Sequence, residues 1–529
     1  MQKWLDKAIN ADEDMHDGKA INDDEDMHDD KAINDDEDTD DEYIAYYKHV
    51  RDNLDKAIKI IKWNSDESNC RLDIKDITTC TEIPGAVFIL ADKNYGMTLL
   101  PIDTMVSAEE NMLEELKARK VNSNCEEIVK IMESKIRKFE KSNCLQARQH
   151  LDSLEINRFD RPLKIKMPFL KLNAKIHKLS SKDITEKNLS KLKFRPVQDS
   201  SSWIIKPYAE ILMTLLRDLM TAVTNKYSSM KRISSENGIK ISREMRQLEF
   251  SENQSKFFMS SDMSSAYSNI FKYDVFRAII LSTTILEAND WRRDLILKLT
   301  ELILANNFIE SSAGVYQLGD CLPMGSSASQ DCLNIVGMVN ELEFFENISA
   351  KKEFDVKIND DFEVLIRVKS QINEINSLTK QEKQYLKLFK RYIDDTHSVC
   401  SGKEISTMKS LIIKILKIYP KHLVMNASLS LMHFSHLDSC GYTGFQKGKM
   451  TTFVRRNYTA PVNVVPSQSN CPASNKYSII LSELLRYRRM CSTSQFVRLN
   501  ETHLFTEMIK AGYKKTDLKK QFAKSQDFI

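Results

Sequence analysis

The sequence has no C-x-x-C pair among its ten cysteines, which are scattered from Cys70 to Cys491. That spacing excludes a zinc module of the usual kind and a disulfide framework, and it argues for reduced thiols inside a cell. No apolar run is long enough to span a bilayer. The Met1 end is polar and acidic where a secretory signal is basic and then apolar. An intracellular chain away from membranes is therefore expected. Its composition, 42% hydrophobic and 29% charged, is that of a globular protein with core enough for several domains.

The near-neutral net charge of +2 conceals a strong segregation. Residues 1–42 hold 18 Asp/Glu and 4 Lys, a net of −14, which leaves 73 Lys/Arg and 57 Asp/Glu, a net of +16, for the remainder. A basic body behind an acidic leader points to a polyanionic partner, most simply nucleic acid. The leader is a twelve-residue repeat: DKAINADEDMHD from Asp6, GKAINDDEDMHD from Gly18 and DKAINDDEDTDD from Asp30. Calcium loops of the EF-hand type need a central Gly and a closing Glu at offsets these repeats lack. With one Ile per repeat there is no core to build, so a solvated, disordered leader is expected.

Helical spacing from Tyr43 to Trp63 predicts an N-terminal helical segment over 43–80. Val87–Leu100 reads as two short strands around a polar turn, and 104–155 as helices of mixed charge. Basic and apolar residues alternate through Lys164–Lys178 and Lys191–Gln198, the pattern of a β-hairpin with one packed face and one facing phosphates or solvent. A helix is expected over 203–226, and long helices over roughly 272–309. Residues 346–385 are charged and read as an irregular insertion. Beyond a helix at Thr407–Ile418 and a strand pair around Gly441–Phe453, the end is basic and helical.

Three acidic positions stand out. In F-F-M-S-S-D-M-S-S-A-Y an apolar strand ends on Asp262, with Tyr267 five residues later; in F-K-R-Y-I-D-D-T-H-S-V a hairpin carries Asp394 and Asp395. Adjacent carboxylates repel unless a cation neutralises them, although turns also favour Asp for purely local reasons. One Asp on a strand and two on a later hairpin are the minimum for two-metal phosphoryl transfer, with Mg²⁺ (or Mn²⁺) as the ions. Tyr267 then fits a wall beneath an incoming sugar that rejects a 2′-hydroxyl. Between them, L-P-M-G-S-S opens a helix; Gly325 lets backbone approach a base pair closely, and Met324 packs against nucleotide or template base. His433 and His436 read as packing residues, and Cys321 and Cys332 as buried thiols.

In the order and wording of these motifs the chain resembles reverse transcriptases of the Penelope-like retroelements. A-D-K-N-Y-G-M at Ala91 is similar to that group's A-D-K-G-G-x-x, M-P-F-L-K-L-N-A-K-I-H-K to P-x-F-Y-G-L-P-K-x-H-K, and F-R-P-V to R-P-I-V. S-S-D-M-S-S-A-Y-S-N-I resembles D-V-x-S-L-Y-T-N-I, L-P-M-G-S-S-A-S resembles x-x-M-G-S-P-L-S with Ser327 in place of Pro, and R-Y-I-D-D resembles R-Y-V-D-D. H-L-D at 436–438 echoes F-L-D, and the stretch Leu481–Ser492 echoes R-x-x-R-x-x-S of a thumb.

The resemblance implies an α+β right hand: fingers at 81–255, a palm of antiparallel sheet and helices at 256–450, and a thumb and tail at 451–529. It implies RNA-directed DNA synthesis from a DNA or RNA primer on an RNA template with dNTPs, the RNA–DNA hybrid being gripped through its backbone by residues such as Arg486, Arg488 and Arg489. Asp262, Asp394 and Asp395 would hold the metals. Arg195, with Lys175 or Lys178, would hold the triphosphate. Residues 493–529 are too few for the GIY-YIG nuclease many members carry, so a separate endonuclease is expected, and the nucleus as the working place. Two alternatives stand beside this reading: a domesticated, inactive nucleic-acid-binding relic, and a template-independent terminal transferase.

Overall fold

In the computed structural model the residues described are 86–90, 97–154, 165–175, 179, 191–233, 237–251, 253–346, 348, 352–371, 378–446, 448–454, 464–465, 467–469 and 471–526. The acidic repeats, the helix expected near Tyr43–Trp63, and Lys178 lie outside them.

The fold is α+β, and its sheets are almost wholly antiparallel. At its centre a four-stranded antiparallel sheet runs in the order Leu386–Tyr392, Asp395–Gly402, Ser255–Met263, Met425–Ser430. Period-2 patterning explains how Ser255–Met263 comes to sit in the middle. Phe257, Met259 and Met263 point into one large core, while Phe258 points into a second cluster with Ile241, Val399, Phe434 and Met450. Both faces are thus covered, and at roughly 1.5–3 kcal/mol per fully buried large side chain this strand is well anchored.

The helices that supply the large core include Lys206–Lys226, Lys272–Ile285, Asp290–Leu304 and Ser329–Glu346. The first carries Pro207 in its opening turn, where a missing N–H costs nothing, and buries the stripe Ile211, Leu212, Leu215, Leu219.

A second, five-stranded sheet runs Arg119–Lys120, Gly314–Gln317, Phe308–Ser311, Phe169–Ala174, Phe194–Asp199. The basic hairpin expected from alternation is its edge: Leu170, Leu172 and Ala174 are buried, whereas Phe169 and Lys171 are exposed. Residues 308–317 fall within the span expected for the palm, yet they pair with this sheet. The pair expected in Val87–Leu100 forms as an antiparallel hairpin, Ala86–Leu90 with Met97–Pro101.

Where it is described, the stretch 346–385 is regular. Lys352–Ile358 and Val364–Gln371 form an antiparallel hairpin, followed by the capped helix Lys380–Tyr385. Its turn residue Phe362 is buried and meets Phe139 edge-on at 5.7 Å. Charge had masked a strand alternation. Beyond a three-stranded sheet (His433–His436, Ser439–Gln446, Lys449–Val454), the helices Ala473–Met490, Ser494–Lys510 and Lys515–Gln526 close on their own core of Ile480, Leu484, Tyr487, Leu504, Met508 and Leu518.

Candidate active site

The central sheet brings the acidic positions to one end. Asp395 is the cross-strand partner of Asp262, and the amide of Met263 donates to the carbonyl of Asp394 at 3.1 Å. On the other side of the same strand, Asn426 stands opposite Asp262. Tyr392 pairs with Asp395, so Ile393 and Asp394 form a two-residue hairpin loop. Such loops favour left-handed backbone, and Ile393 adopts it with φ of 56°. For a β-branched residue that conformation costs about 1–2 kcal/mol, so its surroundings must hold it.

Around this end the other expected groups gather unevenly. Arg195 lies on Phe194–Asp199, opposite Asn173, and acts electrostatically on both Asp394 and Tyr267. Tyr267, on the short helix Ala266–Asn269, is half-buried, and its carbonyl accepts from the Leu322 amide at 2.9 Å. Burial pushes its phenol up, and the Asp394 charge pushes it further, with Arg195 opposing. Burial also raises the Asp394 carboxyl above the usual carboxylate range, against a backbone hydrogen bond, Arg195 and Arg391.

Gly325 has φ of +121°, and a Cβ there would stand 2.1 Å from the Gln198 carbonyl oxygen. Only glycine lets the Met324–Gly325 turn lie on the strand that carries Arg195. Two hydrogen bonds fasten it: the Gln198 amide to the Met324 carbonyl at 2.7 Å, and the Ser200 hydroxyl to the Gly325 carbonyl at 3.0 Å. A small, shallow cleft opens between Pro196, Gln198, Tyr267, Leu322, Pro323 and Met324. Lys175 sits just past the hairpin strand, its amide bonded to the Lys193 carbonyl at 2.8 Å.

Carboxylate oxygens are the donors Mg²⁺ prefers. Among the described residues no three His, Cys, Asp or Glu side chains stand close enough to enclose an ion unaided. Seats of one or two carboxylates, completed by water and substrate phosphates, are the usual arrangement for Mg²⁺ beside nucleotides.

Other candidates resolve into packing. His436 is buried, stacked on His397 at 5.8 Å, and held down to about 4 by burial and then by Lys390. His433 shares a 2.7 Å hydrogen bond with the Ser430 hydroxyl. Cys321 and Cys332 are buried thiols; burial pushes Cys321 up to about 11 and Cys332 higher still. Arg486, expected on the duplex backbone, instead bonds Asp438 at 2.6 Å and Glu483 at 2.9 Å, clamping the Ala473–Met490 helix to the turn at H-L-D. Gly238 allows that turn its close approach, since a Cβ there would overlap Asp438. The exposed Arg488 and Arg489 follow on the same helix.

Sequence reasoning missed the group beneath the hairpin loop: buried Arg391, Glu341 and Tyr419, with half-buried Asn334. The signal was the R in R-Y-I-D-D. Nothing linear ties that arginine to its partners 50 and 57 positions earlier.

No family model matches the sequence, and no curated protein does. Among solved structures, the chain is similar to telomerase from Candida albicans in complex with a TWJ fragment of telomeric RNA, at TM-score 0.48 and 10% identity over 86% of this chain and 65% of that one. Apo telomerase from Candida tropicalis gives 0.44 and 10% over 86% and 68%. The chain thus spans about two thirds of the length of those enzymes. Likeness of this size says nothing about what the chain binds or catalyses.

Proposed function

We propose that the protein is an RNA-directed DNA polymerase, a reverse transcriptase of the Penelope-like kind, that extends a primer 3′-hydroxyl with dNTPs. The observation that carries this reading is the register of the central sheet. It places Asp395 opposite Asp262 and the Asp394 backbone on Met263, with Arg195 and Tyr267 around them. Asp262 and Asp394 would hold Mg²⁺ or Mn²⁺, with Asp395 in support. When bound, these ions lower the barrier by activating the attacking oxygen and neutralising the leaving one.

The chain's own residues do the rest. Arg195, with Lys175 or Lys178, binds the triphosphate by charge-assisted hydrogen bonds. Tyr267 stands under the sugar and leaves no room for a 2′-hydroxyl. The Met324–Gly325 turn offers bare backbone to the nascent pair, and Arg488 and Arg489 contact the RNA–DNA hybrid through phosphates. No helix among the described residues is long and apolar enough to cross a membrane; a nuclear place of work and a separate endonuclease belong to the same proposal.

Primer extension on an RNA template tests it. Asp394→Ala should lose more than about 10²-fold of wild-type extension, beyond what removing an outer-sphere partner costs. Equal extension by both proteins sinks the polymerase reading. Binding of the hybrid without extension by wild type favours a domesticated nucleic-acid-binding protein, and undiminished extension without template favours a terminal transferase.

A further inference from the structure

Arg391 stands two residues before Ile393 and three before Asp394 of the acidic loop, but it faces inward and is buried. Its guanidinium is shared among several acceptors. Nε donates to Glu341, Nη1 to Asn334 Oδ1 at 2.9 Å and to the Ile393 carbonyl at 3.1 Å, and Nη2 to the Asn334 carbonyl at 3.3 Å. The Tyr419 hydroxyl donates to the same Glu341 oxygen at 2.7 Å. Gly337 lies against the fork: a Cβ there would stand 2.7 Å from Arg391 Cζ and 2.8 Å from Nε. Asn334, Gly337 and Glu341 all belong to the Ser329–Glu346 helix, which begins just past the Met324–Gly325 turn.

The bland account is a buried ion pair that merely stabilises. Yet apolar replacement of such a pair is often neutral or better for stability, so stability alone does not call for it. The bond to the Ile393 carbonyl points elsewhere. Ile393 is the strained residue of the loop, and its carbonyl fixes the peptide that leads into Asp394. A planar fork of five donors holds that carbonyl and a helix in one fixed geometry; an ammonium on a flexible stem, with three rotatable donors, does not.

We infer that Arg391 is a positioning residue, which fixes the tip carrying Asp394 relative to the Ser329–Glu346 helix through the Ile393 carbonyl. The inference rests on the polymerase reading above for its consequence, and on geometry for its substance. Two variants of the full chain test it: Gly337→Ala, which keeps every polar group but crowds the fork, and the double replacement Arg391→Met with Glu341→Leu. The readouts are Mn²⁺ binding to the chain alone by loss of the free-ion EPR signal, the Mg²⁺ dependence of extension, hybrid binding, and thermal melting.

Folded variants should bind Mn²⁺ about 10–100-fold more weakly and need correspondingly more Mg²⁺, the scale seen when partners behind metal ligands are lost. Hybrid binding should not change. Wild-type Mn²⁺ binding and Mg²⁺ dependence in Gly337→Ala, or in a cooperatively melting double variant, overturns the inference. Should the double variant fail to fold, Gly337→Ala decides alone. Failure of the polymerase reading looks different: Asp394→Ala then extends like wild type, whereas here extension stays dependent on Asp394 and only the Gly337→Ala result is unmoved.

Discussion

Two antiparallel hairpins in this chain use the same backbone device for opposite ends. The hairpin 352–371 and the hairpin 386–402 each hold a bulky residue in left-handed backbone at or beside the turn: Phe362 at φ of 59° and Ile393 at 56°. Phe362 is kept there by burial, its ring set against Phe139. Ile393 is kept there through its carbonyl, by a guanidinium braced on Glu341 and Asn334. Apolar burial is non-directional and pulls a turn inward. Hydrogen bonds are directional, so they can fix a turn while leaving its next residue, Asp394, only half-buried. One hairpin is thereby an anchor and the other a presenter of charge.

The sharpest way to separate the two is Phe362→Ala. It should cost about 3–5 kcal/mol of stability, as deletion of a buried ring does, while extension by the remaining folded protein keeps its Mg²⁺ dependence. A changed metal requirement measured with denaturation curves alongside would mean that the two hairpins are coupled after all. A third left-handed position, Gly325, is held in yet another way, by the absence of a side chain. Gly325→Ala should destabilise by more than about 1 kcal/mol and raise the KM for dNTP, since the turn must leave the strand bearing Arg195; an unchanged KM in steady-state extension assays would detach that turn from the nucleotide.

The smallest effect concerns the back of the acidic hairpin, where His397 stacks on His436. His436 is lowered from 6.5 to about 4 in the folded chain. A base lowered on folding contributes stability above its unfolded value, and that contribution fades as pH falls from 6.5 towards 4. Melting temperatures across that window should therefore drop less steeply for His436→Phe than for wild type. Parallel profiles would show that the buried stack does not titrate on unfolding.

Much of this was readable in the linear chain. Period-2 runs gave the basic hairpin at Phe169–Asp199 and the strand ending on Asp262, because alternation survives wherever one face of a strand is buried. Helical stripes gave Lys206–Lys226 for the same reason. The 352–371 hairpin escaped because charged outward residues filled its alternation, and the decisive clue, a buried Phe362, is a tertiary fact. The Arg486–Asp438 pair is illegible in the linear chain, because an arginine in a basic helix carries no sign of an aspartate 48 positions away.

The sequence by itself settled the local matters: which segments could be strands or helices, where charge accumulates, and which two adjacent carboxylates repel unless matched. Those depend on neighbours within a few residues, whose spacing the chain fixes directly. Only the tertiary structure decided that Asp262 meets Asp395 across a shared register, that Gly325 lies on Gln198, and that Arg391 turns inward to Glu341. Each of these joins residues far apart in the chain, where loop closure and competition for a common core, not local preference, select the partner.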